Sequence, residues 1–87
     1  MNPESTAADA AFAAELAQLR LEAGLSRRDL AEEVGIKSRD VGRSETGQRR
    51  VHVVELFHWC KACGSSLDAF VERVDRRLAL DLSQTCH

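Results

Sequence analysis

Apolar residues recur along this chain at helical spacing, and glycines break the pattern into segments. From about Ala8 to Ala23 the sequence is rich in Ala and Leu, with Phe12, Leu16 and Leu19 at i, i+4 and i+7 on one helical face. Gly24 ends that segment. Ser26 is placed to cap a second helix, with Asp29 three residues on to close a capping box. Leu30, Ala31 and Val34 then supply one apolar face. Gly35 interrupts them, as the positive-φ position of a sharp turn requires. A third short helix, about Lys37 to Glu45, turns Val41 inward, and Gly47 is placed to stop it.

Beyond the basic loop Gln48-Arg49-Arg50, the stretch Val51 to Cys63 offers Val54, Phe57 or His58, Leu56, Trp59, Cys60 and Cys63 as a fourth helical face. Gly64 ends it, and Ser65 or Ser66 can cap the next helix. Leu67, Phe70, Val71, Val74, Leu78 and Leu82 trace a long apolar stripe, with Arg73, Arg76 and Arg77 on a charged side. The organisation expected is a flexible N-terminus over 1–7, one domain over 8–82 and a loose tail over 83–87. Within the domain a helix-turn-helix spans 26–45 and a C-terminal helix spans 66–82.

Composition narrows the class to all-α. Eighty-seven residues with three Phe, one Trp and no Tyr leave one modest core for aliphatic residues and Ala to fill. One Pro, five Gly and few β-branched runs favour a helical bundle. No apolar segment approaches the roughly 18 residues of a membrane span, and MNPESTAADA lacks the features of a secretory signal. A cytoplasmic protein with reduced thiols is the expectation.

The net charge of −2 is unusual for a nucleic-acid partner, but its distribution is uneven. Residues 20–50 hold eight Lys/Arg against six Asp/Glu, while the segments on either side are net acidic. The positive excess therefore falls on the helix-Gly-helix unit. That unit is a DNA-reading geometry when its second helix is basic and exposed, and Lys37, Arg39 and Arg43 make it basic.

Leu25-Ser26-Arg27-Arg28-Asp29-Leu30-Ala31, Val34-Gly35-Ile36, Val41, Glu45 and Gly47 together resemble the helix-turn-helix of lambda-repressor-like, Xre/Cro-type DNA-binding proteins. The resemblance continues through Arg49-Arg50 and Val53-Val54-Glu55-Leu56 to Ala62-Cys63-Gly64 and Leu67, covering roughly residues 16 to 71. It implies a five-helix bundle, here with an extended C-terminal helix. It also implies a DNA-binding transcriptional regulator, such as a repressor, with Lys37, Ser38, Arg39 and Arg43 at base-reading positions. Arg39 and Arg43 can each donate twice to guanine, and Asp40 could accept from cytosine. Arg27, Arg49 and Arg50 would hold phosphates, with Arg27 at a position where the family often has Gln. Arg28 could equally be a plain surface charge. Arg20 and Glu45 stand where the family commonly forms a structural ion pair.

The family's fifth helix need only reach about Val71, so Val74, Leu78 and Leu82 are expected either to fold back or to form a homodimer seam. Dimers place two recognition helices about 34 Å apart, matching a palindromic operator. Three departures from the family pattern predict a less rigid recognition helix. Lys37 replaces a capping Ser or Thr, Gly42 lies inside the helix, and Ser44 replaces a large apolar residue. Such a helix would order fully only on DNA, or would read DNA poorly.

Cys60-Lys-Ala-Cys63 matches C-x-x-C, but a zinc ribbon needs a second ligand pair, and only His52, His58, Cys86 and His87 remain. Buried thiols are the expected reading, with Trp59 in the core and His52 capping the fourth helix or lying on the surface. No catalytic set, phosphate-binding Gly loop or carboxylate pair stands out, so no enzyme, cofactor or metal is expected. Two other classes stay open: an antitoxin-like or adaptor module that binds a protein partner, and a thiol or metal sensor.

Overall fold

The computed structural model describes residues 6–85, with side chains as far as residue 80. Five helices follow one another: α1 (Ala7–Glu22), α2 (Arg27–Val34), α3 (Ser38–Glu45), α4 (Val53–Ala62) and α5 (Leu67–Thr85). No strand occurs among the described residues. Nor is any helix there long and apolar enough to cross a membrane.

Local chemistry sets most of the boundaries. Ser26 Oγ accepts from the Asp29 N–H at 3.0 Å while the Asp29 carboxylate accepts from the Ser26 N–H, a closed capping box on α2. The same device caps α1, where Thr6 and Asp9 exchange hydrogen bonds. Helix α1 therefore starts at Ala7, inside the stretch expected to be flexible. At the other end α5 continues to Thr85, past the expected boundary at Leu82, because Ser83-Gln84-Thr85 holds neither Gly nor Pro to stop it. Gly35 takes φ 86°, and the Gly35 and Ile36 N–H groups both donate to Ala31 O, closing α2 before the turn into α3.

The core gathers one stripe from each helix. Leu16, Leu19, Leu30, Ala31, Val41, Leu56, Trp59, Cys60 and Phe70 form a single buried cluster. Phe12 meets Phe70 edge to face, ring centroids 5.2 Å apart, joining α1 to α5. Trp59 is wholly buried, and its Nε1 has no hydrogen-bond partner.

One face differs from the sequence expectation, and a second goes beyond it. On α4, Leu56, Trp59 and Cys60 point inward, whereas Val53, Val54 and Phe57 are exposed. The apolar residues of that helix cover more than one face, and packing takes only one. On α5, the side that the sequence shows only as charged is packed onto α1 through Arg73 and Arg77. Glu15, buried in α1, accepts from Arg73 at 2.8 Å and from Arg77 at 2.8 Å, and Glu22 accepts twice from Arg73. Burial alone would push the Glu15 carboxyl up, but the bonds from Arg77 and Arg73 outweigh it and hold it below its usual range. With those arginines facing α1, Val74 packs against the chain's own core.

Candidate nucleic-acid interface

The recognition surface is built by suspending α3 from its inner face. Val41 is fully buried, and the flanking turns fix Ser44 and Glu45 inward. Glu45 accepts from Arg20 Nε at 2.6 Å and Nη2 at 3.1 Å, so α1 and α3 are bound by a two-point ion pair. The Glu45 side chain is 2% exposed and that of Arg20 11%. Arg20 also donates to Leu25 O at 2.9 Å, which holds the α1–α2 connection.

With Val41, Ser44 and Glu45 inside, the helical period places Arg39 and Arg43 outside, and Ser38 is exposed at the first residue of the helix. Lys37, Ser38, Arg39 and Arg43 are all exposed, and among the described residues none of these cations forms an ion pair. Lys37 occupies the N-cap of α3 without a side-chain cap bond. The first N–H groups of the helix thus keep free donors beside two positive side chains.

The other two departures from the family pattern have partners in the fold. Gly42 lies beneath the Arg27 guanidinium, which reaches across α3 to give Glu45 Oε1 a bond of 3.2 Å. Ser44 is buried, donates to Asp40 O at 2.8 Å and accepts from Arg49 at 3.2 Å. Small residues at these positions make room for guanidinium groups where a large apolar side chain would fill the space.

The rim arginines divide. Arg28 and Arg50 are exposed. Arg27 is 52% exposed while its Nε bonds to Glu45, and its Nη1 lies over Gly42 of α3. Arg49 turns inward and pairs through both terminal nitrogens with Glu55, at 2.5 and 2.9 Å. That pairing holds the Glu55 carboxyl below its usual range and raises the Arg49 guanidinium. The role of Glu55 is not visible from the sequence, because it depends on how the loop between α3 and α4 closes. His52 caps α4, its Nδ1 accepting from the Glu55 N–H at 3.4 Å.

The thiols lie apart from this surface. Cys60 is buried and Cys63 partly so; burial pushes both thiols up, Cys63 to about 11, which disfavours the thiolate that metal binding or redox chemistry needs. Among the described residues no three His, Cys, Asp or Glu side chains converge as a metal site. Cys86 and His87, the other ligands considered from sequence, lie outside the described residues.

A capped helix, a left-handed glycine turn and a second helix with a basic outer face define a helix-turn-helix DNA-binding protein. The chain belongs to the Helix-turn-helix domain family, which matches residues 11–85, and its five-helix fold is the lambda-repressor-like, Xre/Cro type of transcriptional regulators. It is similar to the clp gene regulator ClgR from Corynebacterium glutamicum, at 27% identity and a TM-score of 0.83, over 94% of this chain and 86% of that one. The restriction-modification controller protein C.Esp1396I shares the fold, at 19% identity and a TM-score of 0.79, over 86% of this chain and 99% of that one. No curated protein matches the sequence.

Proposed function

We propose that this regulator reads a palindromic operator in the major groove as a homodimer. One observation carries the reading: Arg39 and Arg43 stand on the outer side of a helix whose inner side is anchored by Val41 and Glu45, with Lys37 and Ser38 exposed at its N-terminal end. An exposed Arg on an anchored helix suits bidentate guanine recognition, and each good pair is worth about 1–3 kcal/mol of discrimination. Arg27 and Arg50 supply phosphate contacts that set register.

The second copy would meet the chain along α5. Leu78 is half-buried, while Val71 and Leu80 are exposed at 59% and 64%, a large apolar commitment for a solvated helix. Val74 contributes less than the sequence pattern implies, since it already packs on its own core. The Leu82 side chain lies outside the described residues. A protein-partner reading also has an observation in its favour, because Val53, Val54 and Phe57 leave an apolar face on α4.

Selection of bound sequences from a random duplex pool tests the first reading. A palindrome with half-sites about one helical turn apart supports it, and Leu78→Asp should then give monomers with much weaker operator affinity. Enrichment of no sequence, or an unchanged mass for Leu78→Asp, sinks the operator-binding or the dimer part respectively. The α4 face would then be the place to look for a protein partner.

A further inference from the structure

Arg49 and Arg50 are adjacent and identical in sequence, yet the fold treats them in opposite ways. Arg50 is exposed. Arg49 has a side chain 27% exposed, against a Glu55 carboxylate at 9%. Its Nη1 touches Ser44 Oγ at 3.2 Å and Glu55 Oε1 at 2.5 Å, while Nη2 reaches Glu55 Oε2 at 2.9 Å. One guanidinium therefore contacts the last turn of the recognition helix and the first turn of α4, from the middle of the loop that joins them.

We propose that Arg49 and Glu55 form a positioning lock that sets Arg50 and the start of α4 in register with the recognition helix, and that Arg49 itself does not grip DNA. The proposal rests on the operator-binding reading above. Arg is suited to such a lock because its planar fork matches a carboxylate at two points, which a Lys ammonium cannot do. The lock is braced on both sides. Ser44 Oγ, which accepts from Arg49, donates onward to Asp40 O at 2.8 Å. Glu55 sits in the first turn of α4, where the helix N-terminus favours its negative charge. Gly47 at φ 80° and the Gln48 N–H to Arg43 O bond of 2.8 Å fix the other end of the loop. Between these anchors the Arg50 side chain is exposed.

The lock and a direct phosphate contact predict opposite results for conservative variants. Glu55→Gln removes a negative charge near a DNA-facing surface, so charge alone would strengthen binding. Arg49→Lys keeps the positive charge, so a phosphate contact would largely survive. The experiment titrates each single variant and the double variant against the selected operator and against random duplex at several salt concentrations, with thermal melts alongside. The expected result is that each single variant loses roughly tenfold in operator affinity, while random-duplex binding holds. The double variant should lose no more than the worse single one. Loss of an actual phosphate contact, as in Arg50→Gln, should instead lower the salt slope by about 0.9. Wild-type affinity in Arg49→Lys, or tighter binding in Glu55→Gln, overturns the lock. If a single variant melts below the assay temperature, Arg49→Met with Glu55→Leu replaces the pair by apolar contacts and loses the fork. Full operator affinity in that variant also overturns the lock. A wild type that selects no operator defeats the DNA reading itself, a result distinct from a wild type that binds no better than its variants.

Discussion

The Arg27 guanidinium lies over Gly42 so closely that a Cβ added there would stand 3.3 Å from its Nη1. Gly42 thus exchanges helix propensity for a cation laid across the recognition helix. Gly42→Ala should recover about 0.5–1 kcal/mol of helix stability, with a few tenths of an ångström given up by a flexible side chain. A higher melting temperature with slightly weaker operator binding is expected. A lower melting temperature would mean that the glycine serves some other backbone need.

Arg20 and Glu45 are the costlier pair to break. Because the Glu45 side chain is 2% exposed, Arg20→Met would leave a buried carboxylate with only the more exposed Arg27 as partner. A loss of about 3 kcal/mol in chemical denaturation is expected. A loss below about 1 kcal/mol, the range of surface pairs, would show that water or Arg27 compensates.

On the outer face, Arg39→Glu and Arg43→Glu should leave stability within about 0.5 kcal/mol of wild type, since both side chains are exposed. Specific operator binding should be abolished in each. Parallel loss of folding and binding, seen by circular dichroism and titration together, would contradict a purely recognition role.

Acid should loosen the α1–α5 seam. Arg73 and Gln18 draw the Glu22 carboxyl from its ordinary 4.5 to about 2, and Glu15 is lowered as well. Both groups hold fewer protons folded than unfolded, so their stabilising effect is present above about pH 4.5 and lost as pH falls toward 2. Nuclear magnetic resonance of Phe12 and Phe70 should register the change in that window. Glu15→Gln combined with Glu22→Gln should flatten it, and an unchanged acid profile would rule the seam out as its source.

The thiols should be slow to react. In a Cys86→Ser background, alkylation of Cys60 and Cys63 at pH 8 should be far slower in the folded protein than in denaturant, because burial raises both thiols. Equal rates in the two conditions would revive the sensor reading.

What was legible in the sequence follows interaction range. The capping box at Ser26 and Asp29, the left-handed turn at Gly35 and the inward Val41 depend on neighbours within a few residues, and each is present. Glu15 with Arg73 and Arg77 spans 58 and 62 residues, and periodicity cannot report such a pairing. In the sequence Arg73 and Arg77 mark only the charged side of the last helix. Similarly, α4 offers more apolar positions than one face can bury, so the periodicity puts Val54 and Phe57 or His58 on the inner face, where packing takes Leu56, Trp59 and Cys60 and leaves Val54 and Phe57 exposed. At the candidate site, the exposure of Arg39 and Arg43 follows from helical phase once Val41 is inside, whereas their base-reading role is what the resemblance implies. The divergence of Arg49 from Arg50 depends on the three-dimensional path of a loop.

Trp59, buried among aliphatic neighbours with Nε1 unpaired, is also the chain's one tryptophan, and there is no tyrosine. Under ultraviolet excitation the protein therefore carries a single emitter, set in its dry interior. An indole without a hydrogen-bonding neighbour emits at shorter wavelength than a hydrated one, so core unfolding shows as a red shift. Contacts made on the outer side of α3, which do not reach the buried indole, should leave that signal largely unchanged. The molecule thus carries an intrinsic optical gauge of the integrity of its core.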